Sequence, residues 1–190
     1  MHDYSGLLQQ ISVFALPAIF AITLHEAAHG FVANKLGDDT ALRAGRVTFN
    51  PLKHIDPFGT VLMPLLLFLV SRGNFLFGYA KPVPVNFSRL NHPRMDMVWV
   101  ALAGPGINIL MAVTAALLFY VIPFVPAVAK LWAALNLRNA VMFNVVLAVF
   151  NMIPLPPLDG GRVAVGLLPN FLAFRLARTE RYGILIVIGV

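Results

Sequence analysis

Between Asp96 and Lys130 the chain runs for 33 residues without a charged side chain, and between Arg138 and Asp159 for another 20. A third such interval, residues 4–25, precedes Glu26, and its apolar character continues to about Ala33. Runs of this length match the roughly 20 apolar residues of a transmembrane helix. Composition agrees: 59% of the 190 residues are apolar and 12% are charged, where soluble domains carry about 25% charged residues. So few charges cannot cover the surface of a soluble globule, and the same hydrophobicity excludes a disordered chain. The excess of 14 Lys and Arg over 8 Asp and Glu lies in the gaps between apolar runs. That is the pattern of a membrane protein and not the footprint of a nucleic-acid partner. The absence of cysteine excludes disulfides, a thiolate nucleophile and a thiolate-bound metal.

The first span is expected at about residues 11–33, roughly 34 Å as a helix. A second is expected at about 97–120, before Pro123 and Pro126, and a third at about 139–158. Residues 160–178 read as an amphipathic half helix. Residues 182–190, apolar but too short to cross, read as the start of a last span that continues beyond Val190. The segment 58–80 contains Pro64 and Arg72 and is too short for two crossings, so a re-entrant hairpin is expected there. Ala44–Pro51 alternates, and Lys81–Asn86 is β-branched with prolines that confine it to a sheet edge. The fold expected is an all-α polytopic membrane protein forming one membrane-embedded domain over 1–190. It is a bundle of about 4–6 transmembrane segments with a small membrane-associated β element and the re-entrant hairpin.

Residues 34–96 hold eight Lys and Arg and 160–181 hold four, whereas the 121–138 connection has only Lys130 and Arg138. The positive-inside rule then places the N-terminus outside the cytoplasm and 34–96 within it, in a cell (inner) membrane. With no basic n-region, a cleaved signal peptide is not expected.

Inside the first span stands His25-Glu26-Ala27-Ala28-His29. Residues i and i+4 share a helix face, so both imidazoles can reach one metal ion, with Glu26 beside them as a base for water. Counted from a cytoplasmic boundary near Asn34, His29 lies roughly 7 Å inside and His25 roughly 14 Å. Ionisable groups at that depth are costly unless partnered, which makes them functional candidates. A catalytic zinc normally has a third protein ligand. Candidates are the acids, His2, His54 and His92. Asp159 is preferred, because it follows a helix broken by Pro154, Pro156 and Pro157, an extended stretch tolerable at membrane depth only where it lines a cavity or is buried. The alternative for Asp159 is an ordinary helix cap at the interface. His54 and Asp56 remain rivals, although a solvated turn accounts for them. Gly104–Asn108 falls about 10–17 Å inside the boundary, at the depth of the two His. Asn108 and Asn151 could face the metal or serve as interhelical hydrogen-bonding groups.

With His25–His29, Gly104–Asn108 and Asn151–Arg162 together, the chain resembles the site-2 protease family of intramembrane metalloproteases. The likeness is to its short prokaryotic form without a PDZ or CBS domain. The resemblance covers nearly the whole length, with three motifs agreeing in order. It implies one zinc ion held by His25, His29 and Asp159, with Glu26 as catalytic base. It also maps Asn108 and Asn151 onto positions that hold unwound substrate. The implied partners are the lipid bilayer and a single-pass transmembrane protein substrate.

A helical substrate hides its carbonyls in internal hydrogen bonds and must unwind to be cut. Strand addition onto an exposed edge, at Val83, Val85 and Asn86 or at Gly45–Phe49, is the expected means. A membrane metal transporter using the same His and Asp residues is the alternative from another class, and a catalytically inactive scaffold is a third. A Glu third ligand is disfavoured, because Glu180 lies in the basic stretch Arg175–Arg181.

Overall fold

Helix α1, Tyr4–Lys35, carries the His-Glu motif near its C-terminal end. The computed structural model describes residues 4–54 and 81–181, together with residues 56, 62, 66, 70 and 183. The expected hairpin at 58–80 and the last segment at 182–190 otherwise lie outside the described residues. After α1 come a single turn, α2 (Thr40–Arg43), and a 3-10 turn at Pro51–Lys53. A second 3-10 turn at Phe87–Arg89 precedes α3 (Pro93–Leu118). A 3-10 stretch at Phe119–Phe124 leads into α4 (Ala127–Asn151). The chain continues through α5 (Asp159–Leu167) and α6 (Asn170–Ala177).

Three of these helices are long and apolar enough to cross a membrane: Leu8–Lys35 within α1, Pro93–Phe124, and Ala127–Asn151. They pack against one another, and α5 packs on α3. Their outward faces expose large apolar side chains such as Phe14, Phe20, Ile109, Leu110 and Val149. A soluble protein would bury such a belt, and lipid solvates it. Asn108, Asn139 and Asn144 point inward instead. Asn139 is buried and its Nδ2 donates to Val13 O at 2.7 Å, joining α4 to α1.

The described residues contain three spanning helices where four to six segments were expected, and the third begins earlier than the expected 139. It starts right after Pro126 and runs through Lys130 and Arg138. Marking the span by charge-free residues excluded these two cations. Lys130 instead donates to Pro123 O at the helix start, and Arg138 is exposed. Long basic side chains of this kind reach water while their stems stay in apolar surroundings. The helix ends at Asn151, before the prolines, so 152–158 is irregular and not part of the span. The expected half helix at 160–178 is two helices separated at Leu168-Pro169.

The β element is a correction. Neither Ala44–Pro51 nor Lys81–Asn86 forms a strand ladder among the described residues. Pro82 and Pro84 have no N–H to give, and two of the donors that remain go to carboxylates. Val83 N–H donates to Glu26 Oε2 at 2.8 Å, and Asn86 N–H donates to Asp38 Oδ2 at 2.6 Å. On the carbonyl side, Arg46 Nη2 donates to Lys81 O at 2.5 Å. The 81–86 segment is therefore an extended strap held by side chains.

Asp38 anchors that strap and is itself fully buried. Burial pushes its carboxyl upward. The Thr40 hydroxyl, the Asn86 and Thr40 N–H groups and the nearby Arg89 charge outweigh burial and hold it below the ordinary carboxylate value. At the other end of the site, Arg94 Nε donates to Gly166 O at 2.8 Å, and its guanidinium also binds Leu168 O. Arg94 thereby caps the last turn of α5 and fixes it to the start of α3.

Candidate metal centre

The i, i+4 spacing of His25 and His29 sets their rings on one face of α1, with the two Nε2 atoms 3.1 Å apart. Asp159, the first residue of α5, brings Oδ2 to 3.2 Å from His25 Nε2 and 3.4 Å from His29 Nε2. All three residues are buried. They form the group of potential metal ligands found among the described residues.

The tautomer of each ring follows from what its other nitrogen meets. His29 Nδ1 lies 2.7 Å from Val100 O, which only accepts, so Nδ1–H donates. His25 Nδ1 lies 2.5 Å from Asn108 Oδ1. The amide orientation of Asn108 is fixed in turn, because its Nδ2 donates to Ala21 O at 3.2 Å and Asn144 Oδ1 at 2.6 Å. Both imidazoles therefore carry a proton on Nδ1, and in its neutral form each presents a bare Nε2 lone pair towards the other ring and Asp159.

Asp159 Oδ2 is buried and has no hydrogen-bond partner. Three acceptors crowded this closely repel unless a cation lies among them. Zinc–ligand bonds of about 2.0–2.1 Å put the corners of a tetrahedron about 3.3 Å apart, the spacing of these atoms. The donor set fits a zinc ion.

Close helix packing makes the centre possible. A β-carbon on Gly104 of α3 would lie 2.5 Å from His25 Cε1 and 2.5 Å from His29 Nε2, so only glycine lets α3 approach the rings. One on Gly160 would lie 2.2 Å from Met152 O, which explains the glycine after Asp159 where the broken stretch folds back. The peptide bond Pro156–Pro157 in that stretch is cis.

A cavity of roughly 140 Å³ opens beside the three donors, lined also by Glu26, Val83, Val85, Asn151 and Arg162. Asn151 Nδ2 donates to Leu147 O at 3.0 Å, leaving its second N–H and its oxygen for the cavity. Asn86 is not in the lining, because its backbone faces Asp38. Asn108 is fully buried behind His25 and faces the ring, not the cavity. Of the rivals for the third ligand, His54 is not in a solvated turn. It is 2% exposed, and its Nε2 lies 3.2 Å from Thr48 O. Asp56 stands outside the ligand group. His92 is exposed and lies near Asp96, and His2 is outside the described residues.

Sequence reasoning did not anticipate Asn144, which holds Asn108, or the Val100 carbonyl, which holds His29. The only sequence signal for Asn144 is an amide inside the apolar run Ala140–Phe150, and a backbone carbonyl leaves no signal at all.

No family model and no solved structure matches the chain. Two relatives are each named "Putative zinc metalloprotease". YwhC of Bacillus subtilis (strain 168) is 37% identical over 94% of this chain and 80% of its own length. Rip2 of Mycolicibacterium smegmatis is 30% identical over 95% of this chain and 68% of its own. Identity of this extent, carried across the helices that build the buried donor set, shows that the chain belongs to the zinc metalloprotease family of YwhC and Rip2, members of the site-2 protease family.

Proposed function

We propose that the protein is an intramembrane zinc metalloprotease of site-2 type, hydrolysing peptide bonds within or near transmembrane segments of membrane-protein substrates. The observation that carries this reading is the meeting of two bare Nε2 atoms and the unpartnered Asp159 Oδ2 beside Glu26, on helices apolar enough to span a bilayer. The relatives' names support the metalloprotease part of it. They give no support to the metal-transporter alternative.

His25, His29 and Asp159 would hold the zinc, which supplies Lewis acidity that polarises the scissile carbonyl and acidifies water. Glu26 accepts the proton of the attacking water and passes it to the leaving amine. The Val83 N–H bonded to Glu26 Oε2 holds that carboxylate in the cavity wall. Asn108 acts by orienting His25, since both of its N–H groups are already used. Asn151 is the amide left to meet substrate.

Substrate adds as a strand to the 81–86 strap. In an extended segment, the backbone groups of Val83 and Val85 share one edge, and both residues line the cavity. The prolines at 82 and 84 strip donors from the opposite edge. The N-terminus lies outside the cytoplasm, and the site opens towards the cytoplasmic half of a cell membrane, following the basic residues.

Glu26→Gln tests the reading. Zinc content should remain at wild-type level while cleavage of a single-pass model substrate is lost. Retained cleavage would remove Glu26 from its role as base.

A further inference from the structure

Arg162 stands one helical turn beyond Asp159 in α5, and among the described residues it is the only one with a permanent positive charge in the lining of the cavity. Its guanidinium lies 5.2 Å from the centroid of the Phe87 ring. Glu180 Oε1 is 3.9 Å from Arg162 Nη2, beyond hydrogen-bond distance, and Glu180 is largely exposed. A guanidinium attracted to a ring face keeps N–H donors for a further partner, and those donors match a carboxylate bidentately. Glu180 thus occupies, loosely, the place that a stronger carboxylate would take.

We infer that Arg162 determines specificity by binding a substrate carboxylate, an Asp or Glu side chain within a few residues of the scissile bond, in exchange for Glu180. This rests on reading the cavity as the peptidase site. The register follows from two lengths: β-carbons three apart on a helix are about 5–6 Å apart, and an extended substrate advances about 3.3 Å per residue. A carboxylate docked on Arg162 therefore belongs to a residue close to the bond presented at Asp159. Transmembrane segments with an acidic residue near the cleaved bond are the favoured substrates.

The test uses the zinc-loaded Glu26→Gln chain in neutral phosphatidylcholine nanodiscs, where no anionic headgroup competes. Fluorescent single-pass peptides carry Asp or Asn at one position, scanned through the cleaved region. Binding is read by anisotropy, with wild-type cleavage of both peptides measured alongside. At the matching position the Asp peptide should bind about tenfold more tightly than its Asn twin. Adding Arg162→Gln should abolish that preference by weakening the Asp peptide alone, and adding Glu180→Gln should tighten it.

Equal weakening of both peptides by Arg162→Gln overturns the inference. So does weakening of the Asp peptide by Glu180→Gln, the behaviour of a purely structural ion pair. If Arg162→Gln loses its zinc, the Glu180→Gln arm decides. Wild-type cleavage with no preference at any position sinks the inference and spares the peptidase reading. A binding preference with no cleavage of either peptide sinks the peptidase reading, and the specificity role with it, and leaves only carboxylate binding at Arg162.

Discussion

Asn108 Oδ1 accepts the Nδ1 proton of His25 at 2.5 Å, and Asn144 holds Asn108 in that orientation from the neighbouring helix. A candidate metal ligand, its orienting amide and a second amide thus come from α1, α3 and α4, so the bundle's packing and the geometry of the site are one structure. Replacing Asn108 with Leu keeps the volume and removes the acceptor. Zinc affinity should fall about 10–100-fold, read by competition with a chromogenic chelator. An affinity equal to wild type would show that the amide does not orient the ring.

Gly104 and Gly106 give a paired test of close approach on one helix. A methyl on Gly104 meets both imidazoles, whereas nothing lies within 4 Å of one on Gly106. Alanine raises helix propensity at either site by about 1 kcal/mol. Gly106→Ala should therefore keep zinc and cleavage. Gly104→Ala should lose most of both, in spite of its better propensity. Equal behaviour of the two variants in zinc content would contradict the packing described for α1 and α3.

The strap makes a kinetic prediction. Val85→Pro removes the N–H that strand addition would offer to substrate while leaving the Glu26 contact at Val83 in place. KM should rise several-fold with zinc content unchanged, since the change removes binding and not chemistry. A fall in kcat at constant KM would argue against strand addition there.

Asp38 gives the strap a pH dependence with a defined sign. Its folded carboxyl is held below the ordinary value. The stability it contributes is therefore present at pH above about 4, where the unfolded carboxyl is ionised, and is lost as pH falls through the folded value. Asp38→Asn should lower stability by about 1–2 kcal/mol near neutrality. The gap to wild type should close under acid in thermal scans of detergent-solubilised protein. A gap that widened towards acid would reverse the assigned sign.

What could be read from the sequence follows from what is local. The i, i+4 placement of His25 and His29 is a property of one helix, so their convergence was legible. Asp159 depends on a tight return between Asn151 and α5, of which the prolines and Gly160-Gly161 show the break but not the direction. The start of α4 differs from the expected 139, because charge-free intervals cannot tell a cation that ends a span from one that leans out of it, as the exposed Arg138 does. The β-branched pattern of the strap predicts a strand, while the carboxylates that take its donors, Glu26 and Asp38, lie 57 and 48 residues away in sequence. The charged neighbours of His54 predict a solvated turn, and tertiary packing buries it.

The most direct test of the central claim is zinc stoichiometry measured by elemental analysis on purified wild type, Glu26→Gln and Asp159→Ala. One zinc per chain is expected in the first two and a large loss in the third, with cleavage of a single-pass substrate confined to wild type. A full zinc complement in Asp159→Ala, or none in wild type, would contradict the assignment of these three side chains to one ion.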